Sequence, residues 1–496
     1  MGIFKSTKSR KRQPPIVPTD KIVPLGWFDD TLFTGNAVFQ TAFLFDDVLD
    51  ASKLRDSMER LINRDGWQKL GSRLRRNPIT SDLDLHIPAE FSSHRPAIRF
   101  HHLTHDMSRL DHPIAANLPR PTLEPAVMSS PHDFEELWKV KGVPKKVKDY
   151  LVGDEPILTL IVVSFDDATI VCLTWPHFLC DAVGLGIILE SWSLELQRRG
   201  DEIPRPIGID YDPLAEVGKR TTEPHTLDDS RLSTVGFFVW SLRHLPELLL
   251  KSQQQNRTVC VPAAYMRKIK EQALSEAPAD LFDGTDKPRL TDGDVLSAWW
   301  AQVNSAYLGK KRPGRLVSLI NGLGWRFTDG VLPDEGPYLG NAVGMCVTTM
   351  TSAELAGDPM GEVAARVRRG IADSRRTEQV EAYAALWRQV PARMNPIFGS
   401  KTMHLVTVSN WSRARILDLD LSAAVVANVR DSRFVRSGSG RPSYTQSCFS
   451  GIVFPNFAIV HGKDTQGNYW ISNVTTGKHW KSIKDAIEAK ARNSPV

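Results

Sequence analysis

Cysteine is scarce in this chain of 496 residues, which holds five in all, with no Cys-x-x-Cys pair. They are Cys172, Cys180, Cys260, Cys346 and Cys448. So few, widely spaced thiols exclude a disulfide-stapled secreted scaffold and indicate a reducing compartment. The chain also lacks an apolar run long enough to cross a bilayer, and its basic start lacks the apolar segment of a secretory signal. We therefore predict a cytoplasmic protein without a membrane span.

A strong excess of one charge sign is also missing, since the net charge is only +5. Part of that charge lies in residues 1–20, which we predict to be a disordered basic tail. The rest is near neutral, so no nucleic-acid partner is expected. The length predicts two domains. We place an N-terminal half at 21–200, a proline-, aspartate- and threonine-rich crossover linker at 201–232 and a C-terminal half at 233–496.

Several catalytic signatures are absent as well. The sequence has no His-Glu-x-x-His or Cys/His cluster, so we predict no metal. No Gly-x-Gly-x-x-Gly follows a strand, and no Walker-type loop occurs, so no nucleotide cofactor of those kinds is expected. The absence of Gly-x-Ser-x-Gly argues against an α/β-hydrolase. We therefore expect no permanently bound cofactor.

The most informative run spans residues 175–184, where His177 precedes Asp181 by four residues and Gly184 follows. Two apolar runs at 157–165 and 169–175 predict a hairpin of buried strands just before it. An amphipathic helix is predicted just after it. A neutral histidine at a strand end can take a proton from an alcohol or amine, so the run indicates general-base chemistry.

The same His-x-x-x-Asp spacing occurs at two other places, so the spacing alone is weak. His102 and Asp106 lie among polar residues, and His225 and Asp229 lie in the linker-like region. For both histidines we expect a solvated or structural role. The 177–181 pair can also be interpreted as purely structural, as a buried histidine beside a helix N-cap aspartate.

Five segments, in order along the chain, resemble the BAHD-type acyltransferases, whose fungal relatives include the trichothecene acetyltransferases. They match the family's opening segment, its His-x-x-x-Asp-Gly motif, a second-domain helix start, a Tyr-Leu/Phe-Gly-Asn loop and the run before its Asp-Phe-Gly-Trp-Gly motif. In this chain they lie at 24–29, 177–184, 294–299, 338–341 and 409–411. The resemblance implies an α/β fold of two chloramphenicol-acetyltransferase-like domains with mixed sheets and a channel through their interface.

The resemblance also implies a reaction. An acyl group, most often acetyl, would pass from acyl-CoA as co-substrate to a hydroxyl of a secondary metabolite such as a terpenoid or polyketide. His177 would be the general base, and Asp181 a structural brace that points away from the channel toward an arginine. No acyl-enzyme is required, and Cys180 would point into the domain. A monomer is expected.

Further site residues follow from the same resemblance. The indole N–H of Trp411 would donate to the oxyanion, with Ser409 and Asn410 as neighbours. Cations at the channel mouth would bind the CoA phosphates. We expect them at the start of the helix that follows the strand at 258–261, with a solvated basic face as the alternative; the three are Arg267, Lys268 and Lys270. Weaker cationic candidates are Arg366, Arg368 and Arg369.

The chain departs from the family pattern in two places. Gly184 comes three residues after the aspartate instead of directly after it. The Asp-Phe-Gly-Trp-Gly equivalent is reduced to a run that begins at Asp420. In the family that aspartate pairs with an arginine on a second-domain strand, at the position that Leu323 occupies here, so Arg326 is the expected substitute.

Two other functional classes stay open. A condensation-type enzyme would take its acyl group from a carrier protein, but such enzymes carry a second histidine just before the first, where Pro176 stands here. A non-catalytic binding or regulatory descendant of the fold is the other alternative. The intact His177 and Asp181 weigh against it.

Overall fold

The structure is a computed structural model that describes residues 14–249, 254–281, 289–426, 440–451 and 456–493. Residues 1–13 of the predicted basic tail lie outside these ranges. Strands and helices are mixed along the whole described chain, as the α/β expectation requires.

The strands, in chain order, are β1 (Lys21–Pro24), β2 (Val38–Phe45), β3 (Arg73–Arg76), β4 (Leu83–Ile87), β5 (Arg99–Thr104), β6 (Ala126–Val127), β7 (Thr159–Ser164), β8 (Thr169–Pro176), β9 (Gln254–Val261), β10 (Leu316–Gly324), β11 (Val343–Thr351), β12 (His404–Asn410), β13 (Tyr444–Ser450), β14 (Phe457–Lys463) and β15 (Tyr469–Thr476). The helices are α1 (Ala51–Asn63), α2 (Val147–Tyr150), α3 (Ala182–Leu196), α4 (Thr234–Leu249), α5 (Ala263–Ser275), α6 (Asp292–Lys311), α7 (Ser352–Gly357), α8 (Met360–Ser374), α9 (Thr377–Gln389) and α10 (Gly477–Asn493). A 3₁₀ helix covers Pro131–Trp138.

A five-stranded sheet carries the central motif, in the order β13-β2-β8-β7-β5. The predicted hairpin is confirmed, because β7 and β8 pair antiparallel from Thr159–Thr174 to Ser164–Thr169. Every residue of β8 is buried. A central strand covered on both faces reads as a continuous apolar run, which is why the sequence signal was strong here.

The second large sheet has seven strands, in the order β11-β10-β12-β14-β15-β9-β6. β12 lies between β10 and β14 and is parallel to both, whereas the other pairs are antiparallel. This sheet and the helices packed on it share an apolar core of their own, which includes Trp299, Trp300 and Val406. A small sheet, β1-β4-β3, completes the fold.

The two large sheets exchange strands. β13 is late in the sequence but pairs with β2 in the five-stranded sheet. β6 is early but pairs with β9 in the seven-stranded sheet. Each sheet therefore contains a strand from the sequence half that builds the other, and the two bodies are interlocked. The division at 201–232 stays a prediction.

Helix α1 shows how the sequence pattern sets the packing beside the motif. Asp50 caps it by accepting hydrogen bonds from Ser52 N and Lys53 N at 2.9 and 3.0 Å. Apolar residues at helical spacing, Leu54 among them, face the core. Trp192 of α3 locks the two helices together, since its Nε1 donates to Leu54 O at 3.3 Å.

Some sequence expectations differ from the structure. The predicted linker is not a loose connection, because Ile207, Leu214 and Val217 are buried in a core cluster with Trp325. Helices α4 and α9 were not predicted. α3 ends at Leu196, and Arg198 takes a left-handed backbone conformation with φ 63°.

Part of one predicted strand is missing from the described residues. The sequence indicates a strand at 452–457, but 452–455 lie outside the described ranges, and β14 begins at Phe457. No helix in the described ranges combines the length and the apolar character that spanning a membrane requires.

Removal of the Leu54 side chain should destabilise the α1–α3 layer. Leu54 is fully buried, so Leu54→Ala should cost ~2–5 kcal/mol because it leaves a cavity that the packed neighbours fill only in part. Chemical denaturation measures the change. Lys53→Ala is the exposed control and should have a small effect; equal losses from both variants would contradict the packing described here.

Candidate active site

His177 lies immediately after β8, where the sheet ends. Its backbone N donates to Ala37 O at 2.9 Å, which continues the β2–β8 pairing by one residue. Its carbonyl accepts a hydrogen bond from Asn341 Nδ2 at 2.8 Å. The histidine backbone is therefore held from both sides, by its own sheet and by the loop at 338–342 that follows β10.

The imidazole of His177 lies among aromatic rings. The ring centroids of Phe33, Phe39 and Trp175 lie 5.2, 5.4 and 5.8 Å away. This burial lowers the pKa of His177 below its ordinary value, opposed by its own backbone carbonyl, by Asp181 and by Asn341. The residue as a whole is half-buried, and its Nδ1 is buried without a hydrogen-bond partner. Because its pKa is lowered, the imidazole is neutral near pH 7.

Asp181 makes three charge-assisted contacts, and none of them is with His177. Its Oδ1 accepts from Gly184 N at 2.9 Å and so caps α3. Its Oδ2 accepts from Arg326 Nη1 at 2.5 Å and from Ala342 N at 3.0 Å. Both oxygens are thereby satisfied in a buried position. Asp181 thus ties the start of α3 to Arg326 and to the loop at 338–342, and its partner is an arginine, as the sequence resemblance implied.

The partner that Arg326 takes corrects an expectation. Arg326 does not pair with Asp420; it contacts Asp181, the carbonyl of Gly340 and Tyr338 O at 2.9 Å. Asp420 lies elsewhere, with its Oδ2 3.8 Å from Arg441. Arg326 pairs with Asp181 because it follows β10 and faces the start of α3, where Asp181 lies.

The backbone around the brace is close-packed. A Cβ placed on Gly184 would lie 2.0 Å from Leu339 O, so only glycine lets α3 approach this loop. Asn341, next in the loop, is held by Asp29, whose Oδ1 accepts from its N and its Nδ2, both at 2.8 Å. Burial raises the pKa of Asp29, and these two donors oppose that shift. Sequence reasoning singled out both segments but missed that Asn341 contacts His177.

The ring of Phe39 lies between His177 and Trp411, the predicted oxyanion donor. Its centroid is 5.4 Å from that of the His177 ring and 5.8 Å from that of the Trp411 ring. The indole N–H is not free, which corrects the expected role of Trp411: Nε1 donates to Ser409 Oγ at 3.0 Å. Ser409 keeps its own hydroxyl proton and is half-buried. Asn410 accepts from Ser412 N at 2.9 Å, which leaves its amide N–H groups for other partners.

The cations predicted to hold CoA differ in their surroundings. All three lie on α5. Lys270 is already paired with Asp292 at 2.6 Å, Arg267 is exposed and Lys268 is half-buried. Of the weaker candidates, Arg369 pairs with Asp280 at 2.7 Å. Arg366 contacts three carboxylates, those of Glu354, Asp358 and Glu362.

Three further arginines, Arg368, Arg375 and Arg413, form a positive cluster. Burial lowers the pKa of Arg375, the charges of Arg413 and Arg368 lower it further, and Asp294, 3.7 Å from Arg368, opposes that shift. The Arg375 Nε is buried without a hydrogen-bond partner. Arg413 is exposed and lies over the ring of Phe327, 4.3 Å from its centroid. Only Arg413's place, two residues after Trp411, could have signalled this cluster in the sequence.

The competing motifs do not assemble such a site. His102 is exposed and its Nε2 is 2.9 Å from Ser164 Oγ. His225 is buried, and its ring stacks on Phe398 at 4.9 Å. Burial raises the pKa of the Cys180 thiol well above its ordinary value, which disfavours a nucleophilic thiolate there.

The sequence is similar to fungal acyltransferases over its full length. It is 34% identical to the acetyltransferase adrJ of Penicillium rubens over 495 residues, 98% of this chain and 99% of that one. It is 34% identical over 502 residues to the transcriptional regulator calD of Penicillium decumbens, covering 100% and 99%. It is 31% identical over 491 residues to the O-acetyltransferase PaAT-2 of Phomopsis amygdali, covering 95% and 98%. No family model matches the chain.

Solved structures show the same fold at low sequence identity. TRI101 of F. graminearum, complexed with coenzyme A and T-2 mycotoxin, superposes with a TM-score of 0.65 at 14% identity and covers 93% of this chain and 96% of that one. Vinorine synthase superposes with a TM-score of 0.57 at 12% identity, covering 96% and 95%. The α/β expectation for the fold is thereby confirmed.

Loss of the Asp181 carboxylate should lower the stability of the fold, because this carboxylate holds the site together and takes no part in the chemical step. Asp181→Ala leaves the buried Arg326 guanidinium without its partner and α3 without its cap, at a cost of ~3–5 kcal/mol. Thermal unfolding measures the loss. Asp420→Ala removes a more exposed carboxylate and serves as the control, with an expected loss below ~1 kcal/mol. A fully stable but inactive Asp181→Ala would assign that carboxylate a direct chemical role instead.

Proposed function

The chain belongs to the fungal branch of the BAHD-type acyltransferases, and on that premise we propose how its residues transfer an acyl group from acyl-CoA to a hydroxyl. In our proposal the donor is acetyl-CoA and the acceptor is a hydroxylated secondary metabolite, a terpenoid or polyketide. The observation that carries the proposal is the neutral imidazole of the half-buried His177 at the end of β8. We place the protein in the cytoplasm, as a monomer.

His177 acts as the general base. Its Nδ1 is buried without a hydrogen-bond partner. In our proposal Nδ1 keeps the proton of the neutral ring, and Nε2 carries the lone pair that faces the acceptor. As the acceptor oxygen attacks the thioester carbonyl, Nε2 takes its proton, and the imidazolium then protonates the leaving thiolate.

Ser409 is the oxyanion donor that the geometry favours. The Trp411 indole donates to Ser409 Oγ, which orients the hydroxyl and leaves its proton to donate. A fixed donor aimed at the developing oxyanion stabilises the transition state more than the ground state. Trp411 then acts through Ser409, and Asn410 supplies a second N–H nearby.

The arginine cluster binds the CoA phosphates in this proposal. One carboxylate, that of Asp294, lies 3.7 Å from Arg368 and also acts on Arg375, so these three cations keep a net positive charge, and the buried Nε of Arg375 has no hydrogen-bond partner. Guanidinium groups suit phosphate oxygens because they donate in a planar fork. Arg413 and the partly exposed Phe327 offer a cation and a flat face to the nucleotide end. This cluster is favoured over Arg267, Lys268 and Lys270, since Lys270 is paired with Asp292.

A non-catalytic role is the competing function, and one similarity favours it. The relative calD is named a transcriptional regulator and matches this chain over its whole length. Against that role stand His177 and Asp181, which are both present and held in place by the loop at 338–342. A carrier-protein-dependent reaction is the other competitor, and Pro176 stands where its second histidine would be.

Replacement of the base should remove turnover but not folding. His177→Ala should lower the rate of thiol release from acetyl-CoA by ~10²–10⁴-fold, because one proton-transfer group contributes about that much. In the native protein kcat/KM should fall as the pH drops below the lowered pKa of His177, since the protonated ring cannot act as a base. His102→Ala is the matched control and should stay active. Full activity in His177→Ala would remove this residue from the mechanism.

Product analysis decides between the functional classes. Purified protein incubated with acetyl-CoA and a panel of hydroxylated terpenoids and polyketides should yield an acetylated product by mass spectrometry. Turnover only with an acyl group on a carrier protein would favour the condensation-type reaction. No turnover with either donor, in protein that binds CoA, would favour the binding role.

The two cationic sets can be separated by kinetics. Arg413→Ala should raise KM for acetyl-CoA about tenfold or more, because a charge-assisted contact to phosphate contributes ~1.5–3 kcal/mol. The KM of the acceptor should stay near its native value. Arg267→Ala, an exposed cation on α5, is the control. A larger effect from Arg267→Ala would return the phosphate site to α5.

A further inference from the structure

A second cluster of chemically reactive side chains lies on the opposite face of the five-stranded sheet. It consists of His132, Glu135 and Cys448. Along β13 the ring of Phe449 stacks on Phe39, beside His177. Because successive side chains of a strand point to opposite faces, Cys448 faces away from the active site. The proposed acyl transfer uses none of the three residues.

The cluster brings three ligand atoms together. His132 Nδ1 and Glu135 Oε1 are 2.5 Å apart, and these two atoms and Cys448 Sγ all lie within 4.8 Å of one another. His132 and Glu135 share the 3₁₀ helix Pro131–Trp138, in which side chains three residues apart are eclipsed and so project together. Two ligands on one turn and a third on an adjoining strand form a typical chelating arrangement.

We infer that His132, Glu135 and Cys448 bind a divalent zinc-like cation, with water as the fourth ligand. Imidazole, carboxylate and thiolate are the ligand types that Zn²⁺ takes, with bonds of about 2.0–2.3 Å. Such bonds place tetrahedral donor atoms about 3.5 Å apart, so the cluster must contract slightly around the ion. His132 can adjust because its side chain is 51% exposed.

Charge and access fit the same ion. A thiolate and a carboxylate together neutralise the two charges of the cation, whereas the imidazole adds none. Cys448 is buried and Glu135 is half-buried, so the ion is open to water on the His132 side only. Lys145, whose charge acts on Glu135, is exposed and can turn into solvent.

The ion would link the two elements that the sheets exchange. The 3₁₀ helix follows β6, which pairs into the seven-stranded sheet, and Cys448 belongs to β13, which pairs into the five-stranded one. Gln446 of β13 already reaches this helix, through a hydrogen bond from Nε2 to Pro131 O at 2.8 Å. Metal binding should therefore stabilise the interlocked fold and not act on the substrate.

Cobalt substitution tests the site directly. The full chain, stripped of metal and titrated with Co²⁺, should develop a sulfur-to-cobalt charge-transfer band in the near ultraviolet and tetrahedral d–d bands in the visible. One Co²⁺ should bind per chain, and Zn²⁺ should displace it and raise the thermal unfolding midpoint. Folded protein that shows no charge-transfer band with excess Co²⁺ would overturn the proposal.

Variants identify the ligands. Cys448→Ser should abolish the charge-transfer band, and His132→Ala, at an exposed position that tolerates truncation, should weaken Zn²⁺ binding more than about tenfold. His102→Ala is the control, because it removes a different exposed histidine, on β5 of the sheet that contains Cys448. A band that survives Cys448→Ser, or equal Zn²⁺ binding in His132→Ala and His102→Ala, would contradict the assignment.

Discussion

The ion pair between Asp181 and Arg326 is the interaction on which the active-site arrangement depends. Its carboxylate caps α3, and its arginine ties the loop that contains Asn341, so one contact fixes both sides of His177. The pair is buried, which makes its loss costly because one charge would be left uncompensated. A buried pair of this kind stabilises one relative placement of its two segments more than it adds to overall stability.

Around that pair, different strands and loops contribute the residues of the site. His177 follows β8, the loop after β10 holds it, β12 contains Ser409, and Trp411 follows β12. The aromatic ring of Phe39 contacts both His177 and Trp411, so it sets the spacing between these two rings. The exchange of β6 and β13 ties these elements together, because neither sheet is complete without a strand from the other half of the chain.

Sequence reasoning succeeded where local patterns decide. The hairpin of β7 and β8 was predicted because its two apolar runs are nearly unbroken, and His177 was selected because a strand and a helix flank it. It failed where distant residues decide: Arg326 was assigned to Asp420, and Trp411 was expected to offer a free N–H. Both errors concern partners more than a hundred residues apart or side-chain orientations, which no local pattern contains.

The sequence by itself determined the fold class and singled out the run that contains His177 and Asp181, because that run is written in contiguous residues with a fixed spacing. Only the tertiary structure decided that Asn341, which Asp29 holds, contacts His177, that Arg375 and Arg413 lie in one cationic cluster, and that Cys448 lies close to His132. The physical reason is that these groups belong to different strands and loops. Their proximity is created by the strand exchange and by buried contacts, which arise only when the whole chain has folded.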